Sequence, residues 1–287
     1  MGRIWILTNS AVTAVLADPT ASSVVDTVGN TLYEINKFTD TPHTLTHATH
    51  KSMLVVNDYE TELTAGSGVY YGLMAELEAG IPSYYSALMY DNEDWSLDAT
   101  NGYIPQTRTT QQSNAINWYK RAGDLIRCYG YTAVCAPARD LANVLFVPTI
   151  GTDAQTLASD IQGAAAPFFD VVHVQAQNDQ PTAAQGYALP PTTFENFVSS
   201  SIQQIQGTSP LAVVTCGLAV HAADGEGTID GNGKSFQTTG PFPSGSMQAM
   251  QQATAQYAIS LGYAGFWMNF NGNNPGGVAA IQALAGV

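Results

Sequence analysis

Short apolar runs rich in β-branched residues alternate along this chain with longer segments of helical period, and few architectures accept that alternation. It is the pattern of successive strand–helix–strand units, whose strands lie parallel because each helix carries the chain back to the start of the next. The runs fall at Ile4–Thr8, Thr31–Asn36, Met53–Asn57, Ala87–Asp91, Ala133–Ala136, Val171–Gln175, Ala212–Thr215 and Gly265–Asn269. Between them, apolar residues recur three and four apart. Val69, Leu73 and Leu77 form one stripe, Ala115, Tyr119, Ala122 and Ile126 a second, Phe194, Phe197, Val198, Ile202 and Ile205 a third, and Met247, Met250, Tyr257 and Leu261 a fourth. Each stripe gives a helix one face to lay on a sheet. Weaker helices are expected at 20–28 and 154–165, with a last one from Gly277.

Eight strand–helix pairs in 287 residues predict a single (β/α)8 TIM barrel over residues 1–287, with an open doubly wound sheet as the alternative. Hydrophobic residues make up 45% of the chain and are evenly spread, which suits one large core. The longest irregular stretches, Ala99–Thr109, Gln177–Thr192 and Ala222–Ser246, each follow a strand. In such barrels these loops carry the chemistry.

Charge narrows the class of partner. Lys+Arg number 9 against 23 Asp+Glu, a formal net charge of −14, so the surface repels nucleic acid and anionic lipid. A neutral, carbohydrate-type substrate fits better. Low lysine, abundant Ser, Thr, Asn and Gln and 26 glycines are the composition of a secreted protein, and the expectation is an extracellular monomer. Arg3 and the apolar residues up to Ala17 have the outline of a signal peptide, but Thr8, Asn9 and Ser10 interrupt the run, which reads instead as a first strand. No stretch is apolar for the ~20 residues that span a bilayer. Three cysteines, Cys128, Cys135 and Cys216, do not form a disulfide framework, and buried free thiols are expected, with a Cys128–Cys135 bridge as the alternative.

The strand ends supply the candidate site. Asp91 and Glu93 close the fourth strand in the run Leu88-Met89-Tyr90-Asp91-Asn92-Glu93-Asp94-Trp95, and the two-residue period of a strand puts both carboxyls on one face. Two acids this close cannot both ionise freely, so one proton is held more tightly, as a general acid requires. The competing reading is a pair of solvated loop acids. Asp58 and Glu60 after strand three, Trp95 after strand four, Gln175, Gln177 and Asn178 at strand six, and Trp267 and Asn269 at strand eight complete a set of candidate substrate-binding residues. His173, mid-strand among apolar neighbours, reads as a core histidine. His43, His47 and His50, spaced four and three apart on a loop, are read as having no carboxylate partner, and the Asp224–Asn232 stretch departs from calcium-loop spacing, so neither a metal nor a cofactor is expected. No Gly-x-Ser-x-Gly elbow and no phosphate-cradling glycine loop is present.

The Asp-x-Glu close of strand four resembles the family 18 glycoside hydrolases, the chitinases and their relatives, and also the family 25 lysozymes. Three further segments are similar to family 18: Phe169–Asn178 at strand six, Leu32-Tyr33-Glu34-Ile35-Asn36-Lys37-Phe38 at strand two, and Gly265-Phe266-Trp267 at strand eight. The resemblance implies a glycoside hydrolase cleaving a polysaccharide or glycoconjugate, with Glu93 as proton donor, Asp91 orienting the substrate's acetamido group and Trp267 flooring the sugar subsite. Met89 and Ser86 stand where that family carries two further acids, and Gln177 where it carries a tyrosine. Those departures keep two other readings open: a carbohydrate-binding barrel without catalysis, and a barrel lyase or isomerase acting on a small molecule.

Overall fold

The computed structural model describes residues 2–56, 72–91, 108–137, 161–181, 187–220, 246–268, 270 and 275–287. Eight parallel strands close into a barrel in sequence order. They are β1 (Ile4–Thr8), β2 (Thr31–Ile35), β3 (Thr49–Val56), β4 (Tyr85–Tyr90), β5 (Thr132–Cys135), β6 (Val171–Val174), β7 (Val213–Gly217) and β8 (Gly265–Trp267). The helices are α1 (Asn9–Ala17), α2 (Pro19–Val25), α3 (Leu73–Ala79), α4 (Arg108–Cys128), α5 (Thr192–Thr208), α6 (Ser246–Ser260) and α7 (Pro275–Gln282). The predicted (β/α)8 architecture is therefore the one observed. None of the described helices is long and apolar enough to cross a membrane.

By contact density the chain resolves into two compact units. One comprises residues 1–52, 176–198 and 215–287, the other 53–175 and 199–214. In the first, β1 pairs in register with both β2 and β8, Ile6 lying opposite Tyr33 on one side and Trp267 on the other. Gly265 permits the β1–β8 approach, because a Cβ there would collide with the backbone carbonyl of Ile4. Thr8 ends β1 and caps α1, its hydroxyl accepting from the Ala11 amide and donating to the Phe270 carbonyl. Asp18 caps α2 in the same way through Ala21, and Gln282 of α7 donates to its second oxygen.

In the second unit, β5 lies between β4 and β6, and Met89, Val134 and Val171 stand side by side in one layer. Tyr90 packs edge-on against Tyr119 of α4, at 4.9 Å between ring centroids. Tyr90 thus faces the helix, and alternation turns Met89 and Asp91 the other way. Two of the predicted stripes are buried where described, Tyr119, Ala122 and Ile126 of α4 and Phe194, Phe197, Val198, Ile202 and Ile205 of α5 being inaccessible to solvent or nearly so. In the stripe of α6, Met250 is buried, whereas Tyr257 and Leu261 are only half-buried.

Between β2 and β3 the chain forms no helix over residues 36–48. Side-chain anchors hold this segment instead. Asp26, just past α2, accepts from the backbone amides of Thr46, His47 and Ala48, and Glu34 of β2 accepts from the His43 amide and from the rings of His43 and His50. The third strand also starts four residues before its expected position. Cys128 is exposed rather than buried, Cys135 and Cys216 are buried, and all three are free thiols, so the Cys128–Cys135 bridge does not form.

Glu76, in the first turn of α3, is buried, and desolvation raises its carboxyl to about 7. Its folded value lies above the unfolded one, so stability conferred by the protonated form is complete below about pH 4.5 and lost as pH rises towards 7. Replacing Glu76 by Gln should raise the melting temperature at pH 8 and leave it unchanged at pH 4. An equal effect at both pH values would show that the carboxyl is not held protonated.

Candidate active site

Asp91 is the first residue past β4, and its backbone amide still donates to the Val56 carbonyl of β3 at 2.9 Å. Its side chain is buried, at 5% exposure. A solvated loop acid would not be. Gln175, the first residue past β6, donates one amide hydrogen to Asp91 Oδ1 at 3.2 Å and the other to the Ala136 carbonyl at 3.0 Å. Both hydrogens of the Gln175 amide are thereby committed, which fixes its plane and presents a definite donor to the carboxylate. Gln175, expected to bind substrate, is tied to Asp91 by this contact.

One layer below Gln175 on the same face of β6 stands His173, at 1% exposure. Burial pushes its ring down to about 3, so it is a neutral core imidazole, as its apolar neighbours suggested. The strand registers place Asp91, Ala136 and His173 in one layer, continuing the Met89–Val134–Val171 row. Met89 is fully buried, and among the described residues of this row the carboxyl of Asp91 is the acidic group.

The first unit has its own strand-end cluster. Gln177 opens a short 3-10 turn after β6, and its amide lies over Gly217 at the end of β7, in space that a Cβ on Gly217 would fill. Its Oε1 is buried without a hydrogen-bond partner among the described residues. Gly217 is paired with Trp267 of β8, and the Leu218 amide donates to the Trp267 carbonyl at 3.1 Å. The indole of Trp267 is half-buried. Behind this turn, Gln180 donates to Gln251 Oε1 and Thr254 Oγ1 of α6 and accepts from the Ala219 amide. That buried amide network fastens the turn to α6.

The structure thus brings together Asp91 and Gln175 from the predicted set. Asp58, Glu60, Glu93, Trp95 and Asn269 lie outside the described residues, as does the side chain of Asn178. Sequence reasoning missed the Ala136 carbonyl that completes the Gln175 anchorage, because backbone acceptors carry no sequence signal. It also read His43 and His50 as lacking a carboxylate, whereas the fold puts Glu34 between them, at 2.8 and 2.6 Å. Among the described residues no group of three metal-ligating side chains has the geometry to hold an ion.

No family model matches the chain, and neither does any curated protein. Solved structures with a similar course include the hyaluronidase of bee venom, 10% identical over 98% of this chain and 100% of that one, with a TM-score of 0.48. An archaeal fructose 1,6-bisphosphate aldolase is 12% identical over 99% and 92% of the two chains with a TM-score of 0.45. A sugar phosphate isomerase/epimerase from Parabacteroides distasonis is 14% identical over 99% and 93%, with a TM-score of 0.36.

Proposed function

We propose that this (β/α)8 barrel is a glycoside hydrolase acting on a polysaccharide or glycoconjugate, with Glu93 as general acid and Asp91 assisting. The observation that carries the reading is the Asp91–Gln175 contact: a carboxyl that leaves β4 on the face turned away from α4, is buried, and is held by an amide from the end of β6. Taking a carboxyl out of water is costly and one amide donor offsets only part of that cost, so a buried, oriented Asp91 favours a functional role over that of a solvated loop acid. In the sequence Glu93 follows two residues on, the spacing that an extended course would turn to the same face. An ionised Asp91 beside it would favour retention of the Glu93 proton, which is the state a leaving glycosidic oxygen needs.

The competing reading, a sugar-binding barrel without catalysis, draws on Met89, which fills the next position down the face with an apolar, fully buried side chain. Hydrolysis and binding measured together separate the two. A panel of natural and chromogenic oligosaccharides should include at least one that the wild-type protein both binds and cleaves, with new reducing ends appearing over time. Binding across the panel with no cleavage of any member would assign the chain to the non-catalytic class.

A further inference from the structure

A second constellation lies wholly within the first unit and does not rest on the glycosidase reading. Its centre is Glu34, fully buried on β2. Oε1 receives Asn9 Nδ2 at 2.6 Å and His43 Nδ1 at 2.8 Å, while Oε2 receives the His43 amide at 3.0 Å and His50 Nε2 at 2.6 Å. An ionised carboxylate has no hydrogen to give and about four acceptor sites, so all four contacts must be made by donors. That requirement fixes the tautomers. His43 carries its proton on Nδ1 and His50 on Nε2.

In a neutral His43 ring the far nitrogen, Nε2, is then an acceptor, and it lies 3.0 Å from the hydroxyl of Thr13 on α1. Thr13 is exposed, and His43 is 22% exposed, whereas the carboxylate behind them is sealed from solvent. A hydroxyl facing water, an imidazole within proton-transfer distance, and a buried carboxylate holding that imidazole in one tautomer are the nucleophile, base and orienter of covalent catalysis. Clamping the 36–48 segment needs only the Nδ1 side of His43. His50 makes the same kind of bond to Glu34 with no hydroxyl set against its other nitrogen among the described residues.

We propose that Thr13, His43 and Glu34 form a second nucleophilic centre, in which Thr13 Oγ1 accepts an acyl group from activated esters. The Thr13 hydroxyl has a single hydrogen, shared between His43 Nε2 and the Asn9 carbonyl at 3.2 Å, and the first of these arrangements is the reactive one. His43 Nε2 removes the proton as Oγ1 bonds to the acyl carbon. The bond from that carbon to the alcohol oxygen breaks, and the alcohol leaves with the proton from His43. Water, activated by the same nitrogen, then releases the acyl group as a carboxylic acid and restores Thr13.

The probe is p-nitrophenyl acetate, followed by stopped-flow absorbance and by peptide mass spectrometry of the quenched protein. A burst of p-nitrophenol together with acetyl on the Thr13 peptide is expected in the wild type. Thr13→Val leaves every Glu34 contact in place and should abolish both signals, while Thr13→Ser retains them. His43→Gln should slow acylation about 10²-fold, the loss of one general base. An unchanged burst in Thr13→Val, or no acetyl on the Thr13 peptide in the wild type, overturns the proposal.

Discussion

Replacing Glu34 by Gln should cost the fold about 3 kcal/mol, the size expected when one partner of a buried charged cluster is removed and the others are left facing it. The shape of the side chain is unchanged, but one acceptor oxygen becomes a donor that points at two donors already there, either the Asn9 amide and the His43 ring or the His43 amide and the His50 ring. For a chain of this size the melting temperature should fall by about 10 °C. Burial pushes the Glu34 carboxyl up, but hydrogen bonds from His50 and His43 outweigh it and hold the group below its usual 4.5. A depressed carboxyl contributes stability that is complete above about pH 4.5 and lost as pH falls through its folded value. The difference between wild type and Glu34→Gln should therefore shrink in acid. Urea unfolding at pH 7 and pH 3 measures both quantities, and a difference of the same size at each pH would mean that the carboxylate charge is not what holds the segment.

The second large effect belongs to the proposed reaction. Glu93→Gln keeps the size and hydrogen-bonding capacity of the side chain but has no proton to give, and it should lower kcat by about 10³-fold with substrate affinity retained, within the range for loss of a general acid. Asp91→Asn should lower kcat by about 10²-fold, the loss of one preorganised charge beside the reacting centre. Gln175→Leu removes the amide that donates to Asp91 and to the Ala136 carbonyl, so its effect should travel with that of Asp91. In a double-mutant cycle Asp91→Asn and Gln175→Leu should be less than additive. Additive losses would place Gln175 in a separate role.

The fold was legible because its signals are local. Ile4–Thr8 and Val171–Val174 announce themselves as β-branched runs, and Tyr119, Ala122 and Ile126 as one buried helix face. The start of β3 was not, because Thr49, His50, Lys51 and Ser52 are polar. They are strand through partners distant in sequence: the Thr49 amide donates to the Asn30 carbonyl, and the Ser52 hydroxyl accepts from Asn36. The irregular course between β2 and β3 has the same origin. Asp26 and Glu34 supply anchors for residues 43–48 that no helical period reports.

The site divides along the same line. Asp91 was legible as an acid at the close of a strand, since strand periodicity and the Asp-x-Glu spacing lie within a few residues. Its partner Gln175 is 84 residues away, and only the closed sheet brings the ends of β4 and β6 within reach of one amide. His43 and His50 show the converse. Their spacing from each other said little, and the group that gives them a role lies on the neighbouring strand, nine and sixteen residues earlier.

If the acids that follow β4 in sequence meet a glycosidic bond, a crystal structure of the Glu93→Gln protein with an uncleaved oligosaccharide should show the sugar chain lying across the end of β4, with a glycosidic oxygen within about 3 Å of the residue-93 side chain and Asp91 facing the same sugar ring. Oligosaccharide bound elsewhere, or no ordered sugar at concentrations that saturate the wild type, would rule that placement out.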